Sequence, residues 1–405
     1  MEKRIAFAGS GIGQYHFGMA VHTRKLKILH TMTWLAPGGG ADHNVFLTIR
    51  DLADEYEFHL AIGHEIHENP FADVPGLRIH VCPWLDRKIN PIRDLIAFFW
   101  FWLLIRREGY DVVHTHETKA GIVTRVAAKL AGCPRVIFGL HGVPFADPSI
   151  GLVRWLYLVI EGLTMWAADE VVAVSEESLA HYHAQNLGRG LPSRVVYSGV
   201  EVERFTDVDM ARLRAETRFE FGIDLGDTVL IKVGRFSVAK GQRYAIEAFS
   251  RLRSTRDDLK LVLVGEGPER EACERFCRDL GVADDVIFTG YQADVVRMYA
   301  MADINVLTSL IEGLPRVVVE ASLSKLPTVC FDVPGVKEVI TDGKSGDVTT
   351  SGDVDTLTER IRGLMDSPDE RRAKGRRAFE RAERLWDHRR MVDDVRVVYE
   401  FRGLG

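Results

Sequence analysis

The chain has 405 residues, with 52 Lys plus Arg against 58 Asp plus Glu and a formal net charge of −6. That length holds two domains with full hydrophobic cores, and 46% hydrophobic with 27% charged residues excludes a disordered chain. The acidic balance argues against a nucleic-acid binder, five cysteines are too few for a disulfide framework, and no run reaches the ~20 apolar residues of a membrane span.

Residues 1–25 read as an N-terminal extension. Met1-Glu2-Lys3-Arg4 is followed by a short apolar run and then glycines, which is not a secretory signal. Gly9-Ser10-Gly11 begins a dinucleotide fingerprint, but Gln14 stands where the third spaced glycine belongs. From there β-rich runs alternate with helical stretches. Strands are predicted at 27–31, 57–62, 77–82, 112–116, 135–140 and 170–175, with helices at 44–56, 92–108 and 120–131 among the connections. This alternation predicts a parallel sheet covered on both faces. The helix at 92–108 carries IAFFWFWLLI at 96–105, apolar all round and too short to span a bilayer.

A charged stretch at 199–227, with one short helix, reads as the link between two domains. The alternation then restarts with strands at 229–233, 260–264, 286–288, 304–307 and 328–331, and helices at 242–253, 268–280 and 316–324. Cys273 and Cys277 sit four apart in a helical pattern with no second pair, so they read as buried reduced thiols. The segment 367–399 is helical, charged and amphipathic enough to pack back on the body. The expected organisation is α/β: a first doubly wound, Rossmann-like domain at 26–205, a second at 206–384, and a C-terminal helical segment at 385–405. Two such domains place a cleft at the carboxyl ends of both sheets.

Several residues fall at those strand ends. Gly38, Gly39 and Gly40 open a helix at Ala41-Asp42, where free backbone N–H groups can meet an anion. His141 ends the strand at 135–140. In the second domain Gly234-Arg235 ends a strand and Lys240-Gly241 opens the next helix, an arrangement that suits a diphosphate. Glu312-Gly313-Leu314-Pro315-Arg316 then leads into a helix that carries Glu320, with Pro315 suited to the first turn.

In these residues the chain resembles the retaining glycosyltransferases of family 4, which have the GT-B fold. The resemblance runs in order through Gly38-Gly39-Gly40-Ala41, His114-Thr115-His116, Leu140-His141-Gly142, Ser175, Gly234-Arg235 with Lys240-Gly241, Gly265-Glu266-Gly267-Pro268, Gly290-Tyr291 and the Glu312/Glu320 pair. A narrower likeness, to enzymes that build exopolysaccharides, capsules or lipid-linked oligosaccharides, rests on Lys88-Ile89-Asn90-Pro91, Lys119-Ala120-Gly121 and Val143-Pro144-Phe145. Arg316 stands where many relatives carry Asn, and Asp42 where many carry Glu.

The resemblance implies a C-terminal helix that crosses back onto the N-terminal domain, a nucleotide-sugar donor, UDP-linked, and a glycan or polyprenol-linked acceptor, with no cofactor and no metal ion. Arg235, Lys240 and the Gly39 and Gly40 amides would stabilise the leaving diphosphate. Glu320 would bind the ribose, the loop with Tyr291 the base, and Glu312, Gly313 and Leu314 the donor sugar, with His141 on its other side and Gly234 below the phosphates. The aromatic run at 96–105 with its flanking arginines, and a second at 151–166, suggest contact with an anionic membrane surface and a cytoplasmic, peripheral location. Two alternatives remain: a non-catalytic scaffold of a polysaccharide assembly complex, and a sugar-nucleotide epimerase or hydrolase on the same fold.

Overall fold

The computed structural model describes residues 24–35, 38–66, 69–142 and 151–400, with backbone alone at 152 and 153. The fingerprint-like run at 9–14 and the 143–145 motif lie outside the described residues. The first sheet consists of β1 (Lys27–Met32), β2 (Glu57–Gly63), β3 (Arg78–Cys82), β4 (Val112–His116), β5 (Arg135–Leu140), β6 (Glu170–Ala173) and β7 (Ser193–Val195). Its order is β3-β2-β1-β4-β5-β6-β7, with every pairing parallel. Parallel neighbours need long crossovers, which α1 (Gly40–Leu52), α2 (Pro91–Glu108), α3 (Thr118–Leu130), α4 (Gly151–Thr164) and α5 (Glu176–Ala184) supply. The order reverses between β1 and β4, so the glycine turn after β1 opens at the sheet's switch point.

The second sheet has the order β10-β9-β8-β11-β12-β13. Its strands are β8 (Thr228–Val233), β9 (Leu259–Val264), β10 (Val286–Gly290), β11 (Ile304–Leu307), β12 (Thr328–Phe331) and β13 (Gly346–Thr349). Short helices α6 (Glu203–Thr206) and α7 (Met210–Glu220) precede it. Around it lie α8 (Gln242–Arg253), α9 (Arg270–Asp279), α10 (Val295–Ala300), α11 (Arg316–Leu323), α12 (Val336–Val339), α13 (Val354–Asp366) and α14 (Pro368–Leu385), and α15 (His388–Glu400) ends the described chain. All five cysteines are buried and free.

Where the elements differ from expectation, buried charge is the usual reason. The charged link holds two helices, not one, because α7 is anchored by a fully buried arginine. Arg218 donates to the Met301 carbonyl (2.9 Å) and to Asp303 (2.8 Å). Strand β13 has no hydrophobic alternation to announce it, since it buries Asp347 against Lys374 at 2.7 Å. The amphipathic stretch at 367–399 is two helices broken at Trp386-Asp387. There Val200 N–H donates to the Trp386 carbonyl (2.8 Å) and His388 N–H to the Val200 carbonyl (3.0 Å), so the two chain crossings between domains run side by side. Beyond the break, α15 buries Met391, Val392, Val395, Val398 and Tyr399 in the core of the first domain. At roughly 1.5–3 kcal/mol for each fully buried apolar side chain, that seam holds α15 firmly on the first sheet.

Helix α2 is capped at both ends, by Asn90 (3.2 Å from Arg93 N) and by left-handed Gly109. It is not buried all round. Phe101, Leu104 and Ile105 face the core, while Ile92, Leu95, Phe99 and Leu103 are exposed.

Candidate active site

A cavity of about 520 Å³ opens between the two domains. The first domain contributes Trp34, Gly38, Gly39, Asp42 and His43, and the second contributes Gly234, Arg235, Tyr291, Arg316 and Glu320. Glu201 and Arg204 reach it from the link. Gly39 caps α1 with extended backbone, and a Cβ there would come within 2.8 Å of the Asp42 carboxylate. A side chain at 39 would push the Asp42 carboxylate aside.

Arginines and carboxylates share the cavity wall, Arg204, Arg235 and Arg316 standing among Asp42, Glu201, Glu266 and Glu320. Arg235 lies 5.2 Å from the Trp34 ring centre and Arg87 lies 4.0 Å from the same ring, so one indole carries two guanidinium groups. Arg316 Nε donates to Glu320 Oε1 (3.0 Å), and the Tyr299 hydroxyl shares its one proton between Glu320 Oε2 (3.2 Å) and the Val317 carbonyl (3.0 Å). Those two bonds orient the carboxylate and leave it lone pairs for further donors. Burial, then the charges of Arg316 and Arg204, hold His43 neutral, at about 2.

A second group sits where the domains touch. Lys240 Nζ pairs with Glu312 Oε1 at 2.6 Å. The next residue, Gly313, has its carbonyl held by Ser175 Oγ (2.9 Å) and Ser178 Oγ (3.1 Å) of the first domain. Ser175 also caps α5 through Ser178 N (3.1 Å), so one hydroxyl serves a helix end and the domain contact together. The second domain returns the contact, with Glu338 accepting from Glu177 N at 2.9 Å. Gly313 packs against the His141 carbonyl.

The expected site residues therefore divide. Gly39, Gly234, Arg235, Tyr291 and Glu320 line the cavity. Glu312, Lys240, Gly313 and His141 are linked through the domain contact, Leu314 is buried beside them, and Gly40 is the first residue of α1. Lys240 differs from Arg235 in having a carboxylate already in contact.

The matches to known proteins follow this geometry. Residues 27–199 match the family described as Glycosyl transferase 4-like domain, and residues 214–381 match Glycosyl transferases group 1. The alpha-D-kanosaminyltransferase of Streptomyces kanamyceticus is 31% identical over 278 residues, which is 65% of this chain and 70% of that protein. The chain belongs to the glycosyltransferases of family 4. A second relative of this family-4 glycosyltransferase is the UDP-Gal:alpha-D-GlcNAc-diphosphoundecaprenol alpha-1,3-galactosyltransferase of Escherichia coli. It is 25% identical over 343 residues, 83% of this chain and 87% of that protein. Anabaena Alr3699/HepE, solved in complex with UDP and glucose, superposes with a TM-score of 0.79 at 20% identity. The match covers 93% of this chain and all of that one, and it establishes the GT-B fold. The protein is a nucleotide-sugar-dependent glycosyltransferase.

Sequence reasoning missed several residues that line the cavity. Trp34, His43, Glu201 and Arg204 carry no motif, and Glu201 and Arg204 reach the cavity only because the chain crosses between domains there. Arg316 was visible only as a departure, yet it is the group that orients Glu320. Lys232 of β8 is 2% exposed, and its Nζ has no partner among the described residues. Three histidines, His30, His114 and His116, bring ring nitrogens within 4.8 Å of one another in the first domain, as do the more exposed His64, Glu65 and Asp86 with their own ligand atoms. Both sets are close enough to hold a metal ion.

Proposed function

We propose that this glycosyltransferase takes a sugar from a UDP-linked donor, with retention at the anomeric carbon, and places it on a glycan or polyprenol-linked saccharide at an anionic membrane surface. The observation that carries the reading is the cavity between the domains, whose lining brings together Arg235, the α1 N-terminus at Gly39 and Glu320 held ready by Arg316. Breaking the anomeric C–O bond puts negative charge on the departing diphosphate, and a site that stabilises that charge lowers the barrier. Arg235 is placed for this task. Lys240 joins it when the donor's charge competes with Glu312 for the ammonium. Fixed cations take the place a divalent ion fills elsewhere, so the chemistry needs no metal.

Glu320 accepts from the ribose hydroxyls through its remaining lone pairs. Tyr291, 41% exposed at the cavity rim, stacks on the base. Glu312, Gly313 and Leu314 contact the sugar, with His141 opposite. Retention fits front-face attack, the acceptor oxygen arriving on the side the diphosphate leaves. A UDP donor is supported by the E. coli relative, named for UDP-Gal, and by the fold neighbour solved with UDP.

No helix of the described residues is long and apolar enough to cross a membrane. Surface contact is supported by α2 and α4, which expose Phe99 and Leu103, and Trp155 and Leu163, with Trp166 just beyond. Arg93, Arg106 and Arg107 flank the apolar run of α2 in the sequence, Arg93 paired with Asp86 and Arg107 with Glu108, as suits a headgroup region. A polyprenol-linked acceptor, the type named for the E. coli relative, would be met there.

The test is turnover of UDP-glucose, UDP-galactose and UDP-N-acetylglucosamine with a panel of polyprenyl-diphosphate saccharides. The expected result is an acceptor-dependent product in which the donor's α-configuration is kept. UDP release that ignores every acceptor would favour a hydrolase, and no turnover at all a scaffold.

A further inference from the structure

Behind His141 runs a row of buried polar side chains that the proposed chemistry leaves unused. His141 Nε2 lies 2.8 Å from His116 Nδ1, and His116 Nε2 lies 2.8 Å from His30 Nδ1. His30 Nε2 is 3.0 Å from the Tyr399 hydroxyl, which is 3.0 Å from His114 Nδ1. Strand alternation puts His30 of β1 and His114 and His116 of β4 on one face of the sheet. Helix α15 covers that face and brings Tyr399 into the row. His30, His114, His116 and Tyr399 are each 5% exposed or less. Burial holds His30 at about 3 and His141 at about 4, and pushes His114 and His116 well below their ordinary value, so all four rings are neutral at pH 7.

A neutral imidazole has one N–H and one lone pair, and a phenol passes a row on by donating once and accepting once. The whole row therefore has only two polarities. Its inner end chooses between them, because His114 Nε2 is buried with no partner among the described residues. If His141 donated inward, the row would end in an N–H with no acceptor. If the row runs outward from His114, it ends in an unshared lone pair, the less costly orphan.

We propose that His114, Tyr399, His30 and His116 form a one-way hydrogen-bond relay that holds His141 as its Nδ1–H tautomer and fixes its ring, so that Nδ1–H is the group offered to a hydroxyl of the donor sugar. This rests on the reading of His141 as a donor-sugar contact. The members behind His141 are positioning residues, and Tyr399 ties the active site to the C-terminal helix. The three-histidine cluster is a weaker metal site than its spacing suggests. Its nitrogens, apart from His114 Nε2, already face hydrogen-bond partners, and no carboxylate figures among the groups that perturb these rings.

The test is nitrogen NMR of the full chain labelled at histidine, with His141→Gln used to identify the His141 signals. The expected spectrum at pH 7 shows His141 protonated at Nδ1 and bare at Nε2. An Nε2–H tautomer, an imidazolium, or a bound metal ion at one equivalent would overturn the relay. Two variants separate positioning from packing. Tyr399→Phe keeps the ring's packing and removes the hydroxyl link, while His116→Asn is cut off from His30 and can turn either face of its amide to His141. Both variants should lose the single tautomer and about tenfold in kcat with little change in donor KM, roughly the worth of one hydrogen bond. A single Nδ1–H tautomer kept in Tyr399→Phe would refute the relay. If either variant fails to fold, by circular dichroism, the wild-type spectrum and the other variant still decide. A wild-type protein that turns over none of the three UDP-sugars defeats the proposed function, while the tautomer still decides the relay.

Discussion

The His141 carbonyl occupies the space a side chain at Gly313 would need: a Cβ built there falls 2.3 Å from that oxygen. The two residues belong to different domains, so the smallest side chain at 313 acts as a wedge in the cleft. Gly313→Ala should part the contact by a fraction of an ångström or more. Misplacement on that scale is expected to cost about 100-fold in kcat/KM, with a stability loss of only ~1–3 kcal/mol. Steady-state kinetics and the radius of gyration by small-angle scattering are the measurements, and wild-type activity with an unchanged radius would contradict the wedge.

Lys240 and Glu320 should separate kinetically. Lys240→Ala is expected to lower kcat by about 100-fold while changing UDP affinity little, because charge on the diphosphate grows toward the transition state. Glu320→Ala should mainly weaken UDP binding, seen by calorimetry. An unchanged kcat in Lys240→Ala would remove the phosphate role. Its pairing with Glu312 is partly exposed, so the variant should be nearly neutral in stability.

Turnover should persist in EDTA. The grounds are the cations Arg235, Arg316 and Lys240 beside the cleft, not any missing ion. Activity abolished by chelation and restored by Mg²⁺ or Mn²⁺ would sink this expectation.

Lys232 gives a pH-dependent prediction. Burial, then the neighbouring Lys240 charge, pull its ammonium from 10.5 down to about 7. The unfolded chain keeps that proton up to 10.5, so between those values folding releases it and stability rises with pH. Below about 7 the full cost is present. Lys232→Met should stabilise the fold by ~3 kcal/mol near neutral pH, with the gain shrinking as the solution becomes alkaline. Urea unfolding at several pH values tests it; a variant less stable at every pH would mean that the lysine is charged and paired.

The exposed faces of α2 and α4 should bind anionic liposomes at low salt and release them at high salt. Phe99→Ser with Leu103→Ser, both exposed, should reduce sedimentation with vesicles while leaving the circular dichroism spectrum unchanged. A protein that stays in the supernatant at low salt would leave a soluble acceptor as the substrate.

Elements with continuous apolar runs were legible without coordinates. Val229 to Ile231 of β8 and Leu261 to Val264 of β9 are all buried, and their hydrophobic blocks stand out. The string from Glu312 to Glu320 announces the second half of the site, because a loop, a proline and a helix are encoded within nine neighbouring positions. Local signals failed where a polar group does the work of an apolar one, as with Arg218 under α7 and Asp347 within β13.

The sequence by itself determined two doubly wound domains, their order, and the strand ends at which chemistry gathers, since hydrophobic periodicity and glycine turns act over a few residues. Which of those residues meet was decided by tertiary structure alone. Lys240 and Glu312 are 72 positions apart, and His30 and Tyr399 are 369 apart. The resemblance implies that the terminal helix crosses back, but nothing in a local pattern encodes that it will set a hydroxyl 3.0 Å from a strand histidine. That contact exists because the apolar side of α15 has its complementary surface on the first sheet, and burying it brings Tyr399 along.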